Sequence, residues 1–517
     1  IDISADPLLI RLKVPFVRNF FAFNGISLIF ADHTYCMARL NVKEHLKLSL
    51  VYSGVAAVPP VLQVLIQPVI EGNERLNAMD FSQIGIAEMV TSLAFTITLF
   101  SMGNAISRFL YDVEDNRESY NSMVSSVFNS ILLRGLILLT VAFFLQSYIG
   151  NIFSQEGLRN FGSFGFAAII TGINRSIITT AAALYRNEKR VRAFIIVNIA
   201  NAIVRTAFQL IGLFYFEMSF IGYVYGSAIG SSFVSAGVIL VTYRRSGIRY
   251  NSGILSEMNR FAWPLVQYGV LAWGLNFADK YFMERFPSDL GIYFTAVNFA
   301  LGMQIIIQGL QAATQPEIFR YMKEGTLKHE EEIRSLSNML MAQSQLIIAM
   351  AILPVMVYLT LFYETDVRLA SSFIVLIFIR YLPRTQYVIF SFVLYYEKKT
   401  KFFLYLNIVS LLVNILLNLI LIPRFLIYGA VISIMTADII QVIGAYLYAR
   451  RIRPFNWNLG KLLYSPLICM GLILLLEISK HTLGLGQYTS AILSVLILIS
   501  SLVILYRRDI KRLITRI

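Results

Sequence analysis

Apolar residues fall along this chain in blocks of about twenty, divided by short polar stretches. A helix needs about 20 apolar residues to cross a hydrocarbon core of about 30 Å. Backbone amides find no water there, so only helices or closed barrels can span it. Barrel strands alternate polar and apolar positions over about 10 residues, and these runs do not alternate. The pattern predicts helical spans over residues 47–70, 81–106, 122–146, 161–185, 193–215 and 219–243. After a longer polar loop come 261–284, 289–314, 336–362, 370–394, 402–422 and 427–449, then 462–479 and 489–506. The expected fold is an all-α polytopic membrane protein with about 14 transmembrane helices.

Composition agrees with that pattern. Of 517 residues, 57% are hydrophobic and 14% charged, against about 45–50% and 25% in soluble domains. A formal net charge of +14 would suggest nucleic acid for a soluble protein. Here the bases sit in short loops, so they speak for topology and against a nucleic-acid partner. With Met37 inside, the inside segments carry 29 Lys and Arg, and the outside loops carry 6: Arg75, Arg159, Arg285, Arg368, Arg424 and Lys480. This bias predicts two cytoplasmic termini and an even number of spans. A single missed helix would invert the second half of the pattern, and no inversion is seen.

Residues 1–36 begin IDISADP and include FFAFNGISLIF, which is too short to span and lacks a signal-peptide cleavage site. Met37 opens MARLNVKEHLK, a basic start suited to a first cytoplasmic segment. Residues 1–36 are expected to be a disordered tail or to lie upstream of the true start. Cys36 and Cys469 give neither a disulfide framework nor a metal-ligand spacing. His33, His45, His329 and His481 are scattered and read as loop residues.

The chain repeats itself at an offset of 205–209 residues. Glu188-Lys189-Arg190-Val191-Arg192-Ala193-Phe194 leads to Asn198-Ile199, and Glu397-Lys398-Lys399-Thr400-Lys401-Phe402-Phe403 leads to Asn407-Ile408. Gly85-Ile86 and Gly103 match Gly291-Ile292 and Gly309, and Arg175 matches Arg384. Pro59-Pro60 in the first span lies near the position of Pro264 in the seventh. Each repeat holds six spans, an even number, so the halves share an orientation. Two parallel six-helix bundles result, related by an axis along the membrane normal, with substrate expected between them. The expected division is a tail (1–36), an N-lobe of helices 1–6 (37–260), a C-lobe of helices 7–12 (261–450), and helices 13–14 with a basic tail (451–517). A duplicated scaffold without transport is the plainer alternative, disfavoured by charge at mid-depth.

Arg134, Arg175 and Arg205 lie mid-way along the third, fourth and fifth spans. An Arg at a helix centre costs roughly 2.5–3.5 kcal/mol on insertion scales, so these three should face the bundle interior or a watery cavity. Their partners in the second repeat are Gln343, Arg384 and Asn414, so the first lobe is the more cationic. Arg380 sits near mid-span in the tenth helix, and Lys280 adjoins Asp279 near the outer end of the seventh. The intramembrane acids are Glu88, Asp279 and Asp438. Internal pairing is the bland reading of these arginines, yet the acids are too few to neutralise all the bases. The functional reading is an anion site, because a guanidinium fork fits phosphate in a bidentate way. Arg134, Arg175, Arg205, Arg380, Arg384 and Lys280 are the candidates for holding a diphosphate. Asp279, Asp438 and Glu88 are the candidates for coupling to H+ or Na+.

Aromatic residues make up 13% of the chain, and many Tyr lie near span ends, as interface belts require. Pro59, Pro60, Pro264, Pro354 and Pro383 fall inside apolar runs, where they remove helical hydrogen bonds. No G-x-x-x-x-G-K-[ST] loop is found. Energy is therefore expected from an ion gradient, the membrane potential or the substrate gradient, with no cofactor and no enzymatic step.

Residues 261–325 read FAWPLVQYGVLAWGLNFADKYFMERFPSDLGIYFTAVNFALGMQIIIQGLQAATQPEIFRYMKEG. The WPL, the Asp279-Lys280 pair, the Gly291-to-Tyr293 G-x-Y and Gln315-Pro316 resemble the O-antigen type lipid-linked oligosaccharide flippases. That family belongs to the multidrug/oligosaccharidyl-lipid/polysaccharide exporter superfamily. Gly103 to Phe109 (GNAISRF) and the acidic turn Asp112 to Glu118 are similar too, and the resemblance covers about residues 45–506. It implies alternating access between two lobes. It also implies an undecaprenyl-diphosphate-linked oligosaccharide as cargo, an O-antigen or exopolysaccharide unit, with glycan polymerase or ligase enzymes as partners. The location implied is the bacterial inner membrane.

Peptidoglycan-precursor (lipid II) flippases are a competing resemblance; their arginine and acid near the start of the first helix are not found here. A cation-coupled multidrug exporter should carry more buried acids than bases, and the count runs the other way. A membrane-embedded glycan polymerase or ligase would place catalytic residues in a long external loop, and the longest here is only about 10–15 residues.

Overall fold

A computed structural model describes residues 42–516, apart from 73–74, 114–115, 216–218, 327, 398, 400 and 481. The tail at 1–36, and with it His33 and Cys36, lies outside the described residues, as does His481. His45 is a correction: it falls within the first helix rather than in a loop. The described residues are almost wholly helical, with an isolated bridge from Glu71 to Leu76 between two helices.

Fourteen long helices follow in order. In the N-lobe they are α1 (Val42–Ile70), α2 (Ala78–Leu99, continued by Met102–Val113), α3 (Arg117–Gly150), α4 (Phe161–Asn187), α5 (Val191–Phe214) and α6 (Ser219–Ser246). In the C-lobe they are α7 (Ser252–Met283), α8 (Pro287–Gly325), α9 (Glu330–Phe362) and α10 (Asp366–Tyr396). A helix over Lys401–Ile452 follows, divided at Leu426 into α11 and α12. The last two are α13 (Gly460–Ser479) and α14 (Gln487–Arg516). Eleven helices among the described residues are long and apolar enough to cross a membrane, with the 52-residue helix counted once. Twelve of the predicted spans coincide with these helices, the spans over 47–70 and 261–284 fall on α1 and α7, which lie outside those eleven, and the two six-helix bundles with an added pair are present.

Local chemistry sets the helix starts. Asn77 accepts hydrogen bonds from the Met79 and Asp80 amides, while Asp80 accepts one from the Asn77 amide. Such a reciprocal cap contributes about 1 kcal/mol. Asn116 and Asn251 side chains also cap α3 and α7, and Pro287 occupies the first turn of α8. Of the five prolines expected to break helices, Pro383 alone lies beside a break, the turn at Arg380 within α10. Helices run on through Pro59, Pro60, Pro264 and Pro354. The kinks come at Phe100 and Ser101 (φ 49° and 53°) and at Leu426 (φ 49°).

Packing inverts the soluble rule. Leu133, Leu136, Ile137 and Phe144 of α3, and Leu412, Leu416 and Leu419 of α11, are exposed. Polar residues are buried between helices instead, as where Thr98 and Ser176 hydroxyls meet at 2.7 Å. Lipid tails reject such groups, so interhelical hydrogen bonds and small residues hold the bundle. The last two helices lean on the C-lobe: Gln345 donates to the Leu498 carbonyl at 2.9 Å, and Gln386 to the Leu462 carbonyl at 2.9 Å.

The lobes are clasped at the end bearing Glu71 and Glu284. Glu284 of α7 accepts from the Ser154 and Gln155 amides at 2.9 and 2.6 Å. Glu71 at the end of α1 accepts from the Glu364 and Thr365 amides at 2.9 and 2.7 Å. Helices α2 and α8 meet there so closely that a Cβ on Gly291 would lie 1.8 Å from the Ala78 carbonyl oxygen. Glycine is required at that crossing.

Candidate functional site

Helix α4 is enclosed by α2, α3, α5 and α6. Along the whole of Phe161–Asn187 the one exposed residue is Arg175. A helix wrapped by its own bundle presents little to lipid, so this exposure marks a space inside the protein. The Arg175 guanidinium meets Glu88 of α2 at 3.0 Å and lies 4.8 Å from the Phe95 ring centre. Arg175 is 47% exposed and Glu88 33%, so this ion pair stays in reach of water.

Arg205 of α5 stands near the same region. Gly230 lets α6 approach it: a Cβ there would lie 2.7 Å from the Arg205 Cα. Arg205 is half-buried, pairs with no carboxylate among the described residues, and its buried Nε has no partner. The Tyr223 hydroxyl accepts a hydrogen bond from Gln63 and lies within electrostatic reach of both Arg205 and Glu88. Two further contacts carry this polar surface to the C-lobe. Gln67 of α1 donates to Thr295 of α8 at 3.3 Å, and the Trp273 indole of α7 donates to the Met89 carbonyl at 3.0 Å.

The remaining candidates lie in other settings. Arg134 donates to Asn259 of α7 at 2.6 Å and sits 4.2 Å above the Phe100 ring, at the kink of α2. It joins α3 to the opening turns of α7, and its buried Nη1 has no partner. Lys280 and Asp279 are buried against one another at 3.5 Å. Lys280 also donates to the Asn276 carbonyl at 2.7 Å, and Tyr293 donates to Asp279. Arg380 and Arg384 converge on Asp438 at 2.9 and 3.6 Å. Each acid thus has a basic partner, and Arg134 and Arg205 are left without a carboxylate among the described residues.

The twin lobes differ where the offset predicts they should match. Arg384, the counterpart of Arg175, takes its acid from α12 rather than from the α2 equivalent. Asn414, the counterpart of Arg205, is fully buried. Residues not anticipated at this surface are Gln63, Gln67, Tyr223, Trp273 and Thr295. The first two carried a signal: two glutamines four apart in an apolar span share one helix face.

Solved structures of membrane transporters share this fold of two helical bundles. The lipid II flippase MurJ, in an inward closed conformation, is similar over 90% of this chain and 99% of its own, at 16% identity and a TM-score of 0.63. An inward-facing multidrug resistance MATE family transporter of the MOP superfamily covers 84% of this chain and 97% of its own, at 13% identity and a TM-score of 0.57. A mutant form of the Vibrio cholerae MATE transporter VcmN covers 79% and 96%, at 14% identity and a TM-score of 0.50. No curated protein matches by sequence. The polysaccharide biosynthesis protein family matches residues 75–372, more than half of the chain, and the chain belongs to it.

Proposed function

We propose that this protein moves an undecaprenyl-diphosphate-linked oligosaccharide, an O-antigen or exopolysaccharide unit, across the bacterial inner membrane by alternating access. One observation carries the reading. Two arginines face the interior of the N-lobe, one exposed there and one without a carboxylate. A diphosphate carries several acceptor oxygens, and charge-assisted bonds to guanidinium groups are about twice as strong as neutral ones. Arg175 and Arg205 hold the diphosphate, and the half-exposed Glu88 releases Arg175 to it by changing partner or taking up a proton. Asp438, wedged between two arginines, and Asp279, sealed with Lys280, are weaker choices for ion coupling. Arg134, Arg380, Arg384 and Lys280 then serve the frame around the diphosphate.

The positive-inside bias sets the Glu284 end outside and both termini in the cytoplasm. A clasp at the outer end suits loading from the cytoplasmic leaflet, where such lipids are built. The act is transport, with no bond made or broken, and polymerase or ligase enzymes receive the product.

Lipid II is the second reading, supported by the likeness over 90% of this chain to a flippase of that lipid. Both cargoes share the diphosphate and differ in sugar. The decisive experiment is to delete the gene and identify the lipid-linked intermediate that accumulates. A non-peptidoglycan oligosaccharide lipid supports the first reading, and lipid II supports the second. Accumulation of neither removes both.

A further inference from the structure

At the Lys189 end of the N-lobe, well along α4 from Arg175, lies a cleft of about 520 Å³. Leu110, Arg117, Tyr120, Asn187, Glu188 and Lys189 line it. Its one carboxylate is already engaged: Glu188 accepts from the Tyr120 hydroxyl and pairs with Arg190 at 3.0 Å. Arg117 and Lys189 have no such partner among the described residues, and both are exposed. Among the described residues the wall therefore keeps two cations without a carboxylate beside a neutralised acid.

The duplicated lobe offers a comparison. At an offset of 209 the twins of Arg117 and Glu188 are Thr326 and Glu397. There the chain closes the gap with its own cation: Arg453 donates to both Glu397 and Thr326 and lies 4.9 Å over the Tyr396 ring. In the N-lobe the threonine is replaced by Arg117, and the residue numbered as Arg453's twin, Arg244, is exposed. Each acid carries a resident arginine, Arg190 on Glu188 and Arg453 on Glu397, and in the N-lobe Arg117 and Lys189 line the cleft as well.

Lys189 adds a second sign. Its φ is 57°, in the left-handed region, where an L-residue costs roughly 1–2 kcal/mol. Glycine would adopt this turn freely, yet a lysine stands there and lines the cleft.

We infer that this cleft binds the phosphate of an anionic headgroup, at a site separate from the central arginines. The cleft opens at the end that the basic loops assign to the cytoplasmic surface, where anionic lipid is abundant and attracts basic segments. Arg117 supplies a bidentate fork and Lys189 a point charge, the pairing suited to a phosphate ester.

The test uses the purified full chain in detergent. Dioctanoyl phosphatidylglycerol, dioctanoyl phosphatidylcholine and inorganic phosphate are titrated separately, with native mass spectrometry and thermal unfolding as readouts. The wild type should retain the anionic lipid over the zwitterionic one. Arg117→Gln and Lys189→Gly should each weaken that binding about tenfold, the worth of one charge-assisted hydrogen bond. Lys189→Gly relieves a left-handed residue, so its loss of binding is not a loss of fold. Inorganic phosphate bound with the same variant sensitivity keeps the phosphate chemistry and makes its source soluble. Equal retention of both lipids, or binding untouched by both variants, overturns the site. The pair Arg175→Ala with Arg205→Ala should leave this binding intact. If that pair abolishes it instead, the lipid sits at Arg175 and Arg205 and this site is wrong. Failure here is thus distinguishable from failure of the transport reading.

Discussion

Arg175 and Glu88 join α4 to α2 through a 3.0 Å ion pair that stays partly open to water. A pair left half-hydrated is easily exchanged, because screening by solvent keeps its net contribution small, about 0–1 kcal/mol. An arriving diphosphate can therefore displace the carboxylate without a large penalty. Arg205, which meets no carboxylate among the described residues, offers the first hold.

Replacing Arg175 or Arg205 by Ala should abolish glycan export while the protein stays in the membrane. A hydrogen bond to a charged group contributes about 1.5–3 kcal/mol, so each loss should lower export at least about tenfold. Lys should restore part of it, since the charge returns but the fork does not. Complementation of a transport-null strain measures this, and full complementation by both Ala variants would sink the anion site.

Glu88→Gln should tighten binding of a polyprenyl diphosphate and slow its release, because Arg175 loses its resident anion. Binding and single-turnover release in liposomes separate the two effects. Weaker binding than wild type would show that Glu88 belongs to the binding surface itself.

Gly291→Ala places a methyl group where the Ala78 carbonyl now lies. The helices α2 and α8 must part, at a cost of about 1–3 kcal/mol for overpacking. Thr295, fully buried nearby, reports the change: a cysteine at 295 should react with a water-soluble thiol reagent only in the alanine background. Equal reactivity in both backgrounds would mean that this crossing does not seal the lobes.

Asp438→Asn leaves Arg380 and Arg384 without their shared anion. Removing one partner from a buried pair costs about 3–5 kcal/mol, so thermal stability should drop sharply. Arg384→Gln in the same chain should recover part of it. A stable Asn variant that loses only ion-dependent transport would instead favour Asp438 as the coupling acid.

Much of the architecture was legible as text. Apolar blocks of span length located every helix to within a few residues at its core, since a bilayer imposes one length on all of them. The repeat was legible because the matched loops Glu188–Phe194 and Glu397–Phe403 kept both spacing and charge. The kinks were legible only in part. Proline suggested breaks at Pro59, Pro264 and Pro354, yet the helices continue through all three. The bend at Leu426 falls in the gap expected between residues 422 and 427, whereas the one at Phe100 carries no turn signal.

Taken alone, the amino-acid order determined the fourteen helices, the two matching bundles and the three arginines at mid-depth of the N-lobe. Hydrophobic length, charge bias and periodicity are local properties of a chain, and they survive without coordinates. Only the tertiary structure decided which cations were already neutralised. It gave Glu88 to Arg175 and Asp438 to Arg380 and Arg384, left Arg205 without a carboxylate among the described residues, and set Arg134 against Asn259 at the α2 kink. Partner choice depends on distances between residues far apart in number, and helix packing alone sets those distances.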